Sequence, residues 1–149
     1  VNKWDLIEDK DSNTINLFTK NIRTDAPFLD FAPLIFISAL TKQRISKLFP
    51  MILEAYDYAN KKVSTNLLNR VKLEAFALNP PTSKDGKRLK AFYSTQIGVA
   101  PPTFVTFVNN VDLLSDSYKR YLEHKLREAF GFFGTPLRII FRERTEKGK

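Results

Sequence analysis

Apolar residues recur along the chain at two spacings, and the change of spacing divides it. In the first part, Ile15, Leu17, Phe18 and Ile22 fall at helical spacing, with Asp11 or Ser12 where an N-cap belongs. This predicts a helix that stops before Pro27. The run Pro33-Leu34-Ile35-Phe36-Ile37 is apolar throughout, which suits a strand buried on both faces of a parallel sheet. Its proline holds the first position, where a lost N–H is tolerated. Ile45, Leu48, Phe49, Ile52, Leu53, Tyr56 and Ala59 set out a second helix. Pro50 is awkward there, so the helix is expected either to begin near Pro50 or to kink. Ahead of these elements, Val1 reads as the stub of an element that leads into the polar loop Asn2 to Asp5.

The polar stretch Asn60-Lys61-Lys62 is the expected domain boundary. Beyond it, Ser64-Thr65 caps a helix carrying Leu67, Leu68, Val71, Ala75 and Leu78, and Asn79-Pro80-Pro81 ends it. After a polar turn, Ser83 to Arg88, the spacing becomes two. Leu89 to Ile97 reads as a strand, with Leu89, Ala91 and Tyr93 on one face and Lys90, Phe92 and Ser94 on the other. Thr103 to Val108 alternates again, and the short link Gly98 to Pro102 predicts an antiparallel pair. Ser115 to Phe130 is the strongest helix, with Tyr118, Tyr121, Leu122, Leu126, Ala129 and Phe130 in one stripe and Gly131 as the stop. Pro136 to Phe141 is a third strand. Residues 63–144 therefore read as an α+β domain, α-β-β-α-β, with three strands and two helices on one face. Residues 1–62 read as an α/β piece, and 145–149 as a charged tail.

Composition narrows the chemistry. With 149 residues, 43% of them hydrophobic, the chain can bury a core. It has no cysteine and one histidine, His124. Disulfides, thiolate metal sites, thiol catalysis and any site needing two imidazoles are excluded. No apolar run reaches the roughly 18 residues of a membrane span, and the first residues are not a signal peptide. A soluble, cytoplasmic protein with no membrane partner is the expectation. Charge is uneven. Residues 1–62 hold 9 basic and 8 acidic side chains, and residues 63–149 hold 15 and 8, so the second part carries +7 of the total +8. That asymmetry points to an anionic partner for the second part.

Two short patterns carry specific chemistry. Asn2-Lys3-Trp4-Asp5 matches the N-K-x-D motif of P-loop GTPases. An ionised Asp accepts from both the N1–H and the exocyclic amine of guanine. The Lys stem lies on the flat base with its ammonium in water, and the Asn ties neighbouring loops together. Ser38-Ala39-Leu40 follows the apolar run, at the end of a strand where α/β sheets bind ligands. In such GTPases the N–H of this Ala meets guanine O6.

In the second part, Leu67-Leu68-Asn69-Arg70-Val71, Thr95-Gln96-Ile97-Gly98-Val99, Pro101-Pro102-Thr103-Phe104, Ser117 to Leu122 and Leu126 through Gly134-Thr135-Pro136 recur together in one family. The chain resembles the C-terminal end of the double-Era-like GTPases, the Der or EngA family. The resemblance implies that residues 1–62 end a second GTPase domain and that 63–144 form a KH-like domain. It implies action in assembly of the large ribosomal subunit, with ribosomal RNA and the upstream GTPase domains as partners. It also implies GTP or GDP with Mg in the intact protein. One departure stands out: Thr41-Lys42-Gln43-Arg44 replaces a glycine-containing turn. The glycines, at 86, 98, 131, 134 and 148, open neither G-x-x-x-x-G-K-[ST] nor D-x-x-G. The expectation is that this chain alone hydrolyses no GTP and holds no nucleotide or Mg. Without the rest of a GTPase sheet, residues 1–40 are expected to be loosely ordered.

Gly131-Phe132-Phe133-Gly134 is a formal match to the G-x-x-G loop of KH folds. It reads better as a helix stop and a strand lead-in. The stronger RNA-contacting candidates are cationic: Lys84, Lys87, Arg88 and Lys90; Lys119, Arg120 and Arg127; and Arg138, Arg142 and Arg144. Tyr118 and Tyr121 read as core, and His124 as surface. The rival to RNA contact is a domain that docks on its own GTPase domains and regulates them.

Overall fold

Aromatic packing and a short polar turn organise the first part of the chain; the N-cap residue of its first α-helix is Asn13 rather than Asp11 or Ser12, and no side chain caps it. The computed structural model describes residues 1–84 and 86–144; Asp85, within the expected polar turn, and the expected charged tail 145–149 lie outside the described residues. The chain divides into two units, Val1–Tyr58 with Phe133–Thr135, and Ala59–Phe132 with the residues from Pro136 on.

In the first unit a 3-10 turn, Trp4–Leu6, precedes helix α1, Thr14–Asp25. Asp11 Oδ1 accepts from the Asn13 N–H at 2.9 Å and from the Thr14 hydroxyl at 2.7 Å, so Asp11 shapes the turn into α1. Phe18 of α1 stacks edge-on against Trp4 at 5.4 Å, and Trp4 meets Phe36 at 4.7 Å. These rings are the small core of the unit. The expected strand at 33–37 does not form as such. Val1 N donates to Ile35 O at 2.9 Å, and Ile37 N donates to Val1 O at 2.8 Å. Bonds from one residue to both neighbours of Phe36 follow the parallel pattern. Trp4 N also donates to Ile37 O at 2.9 Å, yet no ladder develops, and of the five residues only Phe36 is buried. Helix α2, Ile45–Ala59, runs through Pro50 rather than starting there. Pro50, sixth in the helix, has no N–H to offer the Ser46 carbonyl.

In the second unit the Ser64 side chain accepts from Leu67 N and caps helix α3, Thr65–Leu78. Strand β1, Ala91–Gly98, pairs antiparallel with β2, Thr103–Val108, and β3, Arg138–Glu143, pairs parallel with β2. The sheet is mixed, in the order β1-β2-β3. Its third strand begins two residues later than its sequence pattern suggested. Ser115 caps helix α4, Asp116–Phe130, and Gly131, at φ 88°, ends it. Strand β1 departs from simple alternation. Ala91 faces Val108 and Ser94 faces Thr106, which leaves Phe92 and Tyr93 together opposite Phe107. This bulge returns Ser94 to the side of Ala91, whereas alternation put it opposite. Helices α3 and α4 cover the sheet side carrying Phe104 and Val108. One core cluster joins Ala75, Val108, Tyr118 and Leu122, and the other joins Leu68, Phe104, Leu126, Phe130 and Phe132.

Candidate functional site

The two motif loops of the first unit meet through one side-chain oxygen. Asn2 Oδ1 accepts from Lys3 N at 2.7 Å and from Ala39 N at 3.0 Å. This second bond engages the N–H expected to meet guanine O6. Ser38 is fully buried. Its N–H donates to Gln43 O at 3.2 Å, and its oxygen accepts from Thr41 N at 3.1 Å. A hydrogen bond with the Ser38 side chain, first, and with the backbone of Asp5 holds the Asp5 carboxyl below the usual aspartate range; Lys10 and Lys3 add smaller contributions, and desolvation opposes. Asp5 is thus an ionised acceptor at neutral pH. Lys3 sits at φ 64°, the left-handed region that turns the chain sharply between Asn2 and Trp4. Leu40 points outward and is 83% exposed.

Trp4, the free position of the motif, is the anchor that sequence reasoning missed. It is buried against Phe18 and Phe36, and Lys10 Nζ donates to its carbonyl at 2.8 Å. The available signal was a large aromatic inside an otherwise polar loop. The glycine-free turn also finds a solution. Lys42, at φ 61°, and Arg44, at φ 58°, adopt left-handed conformations themselves. Each costs roughly 1–2 kcal/mol. Arg44 Nη1 donates to Phe36 O at 3.1 Å and secures the turn.

The basic candidates of the second unit fall into two groups. Arg127 is committed to structure: Nη2 pairs with Glu123 Oε1 at 2.9 Å, and Nη1 donates to Phe132 O at 3.0 Å. Lys119 pairs with Asp116 at 2.8 Å, and Arg120 Nε reaches the Asp116 carbonyl at 3.4 Å. Lys84 and Lys87 exchange backbone hydrogen bonds of 2.9 Å across their turn, so their side chains, with Arg88 and Lys90, are presented at one exposed end. Arg138, Arg142 and Arg144 are exposed on and just beyond β3. The G-x-x-G match is structural: Phe132 is fully buried against Phe104 at 5.7 Å and Phe130 at 6.0 Å. Tyr118 is core, its hydroxyl donating to Asn79 O at 2.9 Å. His124 lies on the surface, 3.2 Å from Glu128.

A polar clasp between α3 and β1 had no sequence signal beyond two polar residues amid an apolar stripe. Asn69 Nδ2 donates to Ser94 O at 2.8 Å, and Ser94 N donates to Asn69 Oδ1 at 2.9 Å. Lys72 Nζ donates to Asn69 Oδ1 at 2.8 Å and to Phe92 O at 2.9 Å. Lys72 is buried, and desolvation lowers its pKa below that of an ordinary lysine. Together the two side chains hold the bulged strand to the helix. Among the described residues no group of His, Asp or Glu is placed to hold a metal ion, and no helix is long and apolar enough to cross a membrane.

An α-β-β-α-β unit with two helices on one side of a three-stranded mixed sheet defines a KH-like domain. Residues 62–142 match the family model described as KH-domain-like of EngA bacterial GTPase enzymes, C-terminal, and the chain belongs to that family. It is 51% identical to GTPase Der of Limosilactobacillus fermentum over 144 residues, 97% of this chain and 33% of that protein. It is 53% identical to GTPase Der of Staphylococcus carnosus and 51% identical to that of Geobacillus kaustophilus, with the same coverage of 97% and 33%. The chain thus spans about a third of the length of the curated relatives it matches.

Proposed function

We propose that this chain is the C-terminal region of a bacterial, cytoplasmic GTP-binding protein that acts in large ribosomal subunit assembly. Residues 1–62 read guanine at the end of a GTPase domain, and residues 63–144 dock on ribosomal RNA. The observation that carries the first half is the Asn2 Oδ1 bond to Ala39 N, which joins the N-K-x-D loop to the Ser-Ala-Leu loop. In the bound state Asp5 accepts from guanine N1–H and the exocyclic amine, and adenine offers no such donor pair. The stem of Lys3 lies along the base. Ala39 N–H passes from Asn2 to guanine O6. The phosphates and Mg fall to upstream segments, because no phosphate cradle occurs in this chain. The apolar row Phe49, Ile52, Leu53 and Tyr56 of α2, exposed at helical spacing, supports the same reading: it is the face a GTPase sheet covers.

Magnitudes separate the chain from the intact protein. Two hydrogen bonds to an ionised acceptor contribute about 3–6 kcal/mol before immobilisation costs. Micromolar affinity needs roughly 8 kcal/mol. Calorimetry of this chain with GDP should therefore register no saturable binding, and a micromolar isotherm contradicts that division of labour. The guanine assignment is tested in the Staphylococcus carnosus GTPase Der with this chain replacing the region it matches. Asp5→Asn there should move nucleotide preference from GTP toward XTP, whose 2-oxo group takes the place of the amine. Unchanged selectivity for GTP removes Asp5 from the site.

A further inference from the structure

Building on the RNA-docking reading, we infer that the helix-free side of the β1-β2-β3 sheet is a stacking platform for single-stranded RNA. Side chains alternate across a sheet, so Phe104 and Val108 point to the helices while Val105, itself buried among its neighbours, and the half-buried Phe107 point away. Cross-strand register then places Arg138 beside Thr103 and Arg142 beside Phe107 on that outer side. The bulge adds Phe92 and Tyr93 opposite Phe107, gathering three aromatic residues across β1 and β2, with Arg142 beside Phe107 on β3. Simple alternation gives one aromatic from β1 at this point; the extra residue of the bulge gives two. Phe92 is 43% exposed and Tyr93 48%. The Arg144 guanidinium lies over the Phe92 ring at 5.2 Å, an attraction that holds a cation beside an open aromatic surface.

Charge selects the occupant. Among the described residues, none of Arg138, Arg142 and Arg144 is in an ion pair, whereas Lys119, Lys125 and Arg127 of α4 are each matched by a carboxylate. Glu143, the only acidic residue in β3, accepts from Val111 N at 3.1 Å and lies in register with Val108, on the helix side. An apolar protein surface laid on this face strands three guanidinium groups without counter-charges. A nucleic acid supplies them along its backbone. Open aromatic rings further select unpaired bases, because a duplex hides its base faces and offers only phosphates. The formal G-x-x-G loop cannot serve this role, since Phe132 is in the core.

The test is anisotropy of the full chain with a fluorescein-labelled ten-nucleotide oligouridylate and with a ten-base-pair RNA duplex, each over a salt series. Single strand is expected to bind at least severalfold tighter than duplex. Phe92→Leu keeps the apolar contact but removes the ring, and should weaken single-strand binding about tenfold with the salt slope unchanged. Arg142→Gln should weaken it and reduce the log–log salt slope by about 0.7. Arg70→Gln, on α3 away from this face, should leave binding intact. Unchanged melting midpoints show that the variants are folded. Duplex binding as tight as single strand overturns the inference. So does wild-type affinity in both face variants, with loss instead in Lys119→Gln or Arg120→Gln; RNA docking then stands on the other face. No binding to either RNA at low salt overturns both readings and leaves a protein partner.

Discussion

Asn2 Oδ1, a single amide oxygen, accepts the N–H groups of two loops separated by more than thirty residues. Asn2→Ala leaves the Ala39 amide without that partner and should speed its hydrogen exchange. The expected loss of local stability is about 1 kcal/mol, and unchanged protection of Ala39 contradicts it. Lys42, at φ 61°, occupies a conformation that glycine adopts freely. Lys42→Gly should raise the midpoint of denaturant unfolding, by about 0.5–1 kcal/mol of stability. Tyr118 titrates far from its usual value. Desolvation, with the neighbouring Tyr121 second, pushes it from 10.0 up to about 12. Between those two values the unfolded chain has lost the phenolic proton and the folded chain has kept it. Stability from this group is full below pH 10 and declines as pH rises toward 12. Tyr118→Phe should flatten that alkaline decline in a melting series. It should also cost about 1 kcal/mol at neutral pH through the lost bond to Asn79 O. An alkaline decline identical to wild type contradicts the assignment.

At the scale of elements, legibility followed the number of local signals. Helices α3 and α4 were plain in the sequence because each combines an apolar stripe with a serine at its start, and Ser64 and Ser115 both accept from a first-turn N–H. Strand β2 was equally plain, and it spans the same residues, Thr103–Val108, that the sequence set out. The faces of β1 were not. A period-two pattern cannot reveal one extra residue, nor that Asn69 and Lys72 of α3 bond the Ser94 and Phe92 backbone of the bulged strand. The apolar run 33–37 has the composition of a buried strand, but its backbone bonds to Val1 and Trp4 do not extend into a ladder. The core of the second unit predicts its own weakest point. Phe132, fully buried between Phe104 and Phe130, should cost about 3–5 kcal/mol when truncated to Ala, read as a shift in denaturant midpoint. A loss below 1 kcal/mol returns the Gly131–Gly134 loop to the surface and reopens its case as an RNA grip.

At the scale of the molecule, composition and motif carried different parts of the reading. The N-K-x-D and Ser-Ala-Leu residues stand out because the proposed guanine reading restricts them to few types, whereas the burial of Trp4 had no such signal. The surface of the KH-like domain was legible only as net charge. Which cations are free depends on which carboxylates fold beside them, and Arg127, paired with Glu123 four residues earlier, drops out as a free cation for that reason. The +7 carried by residues 63–149 is the property on which RNA docking rests. It is tested most directly by fluorescence anisotropy of this chain with a labelled large-subunit ribosomal RNA fragment, titrated over a salt series. Micromolar or tighter affinity that falls steeply with salt, as release of counterions from several neutralised phosphates requires, is the predicted result. Absence of binding even at low salt contradicts it.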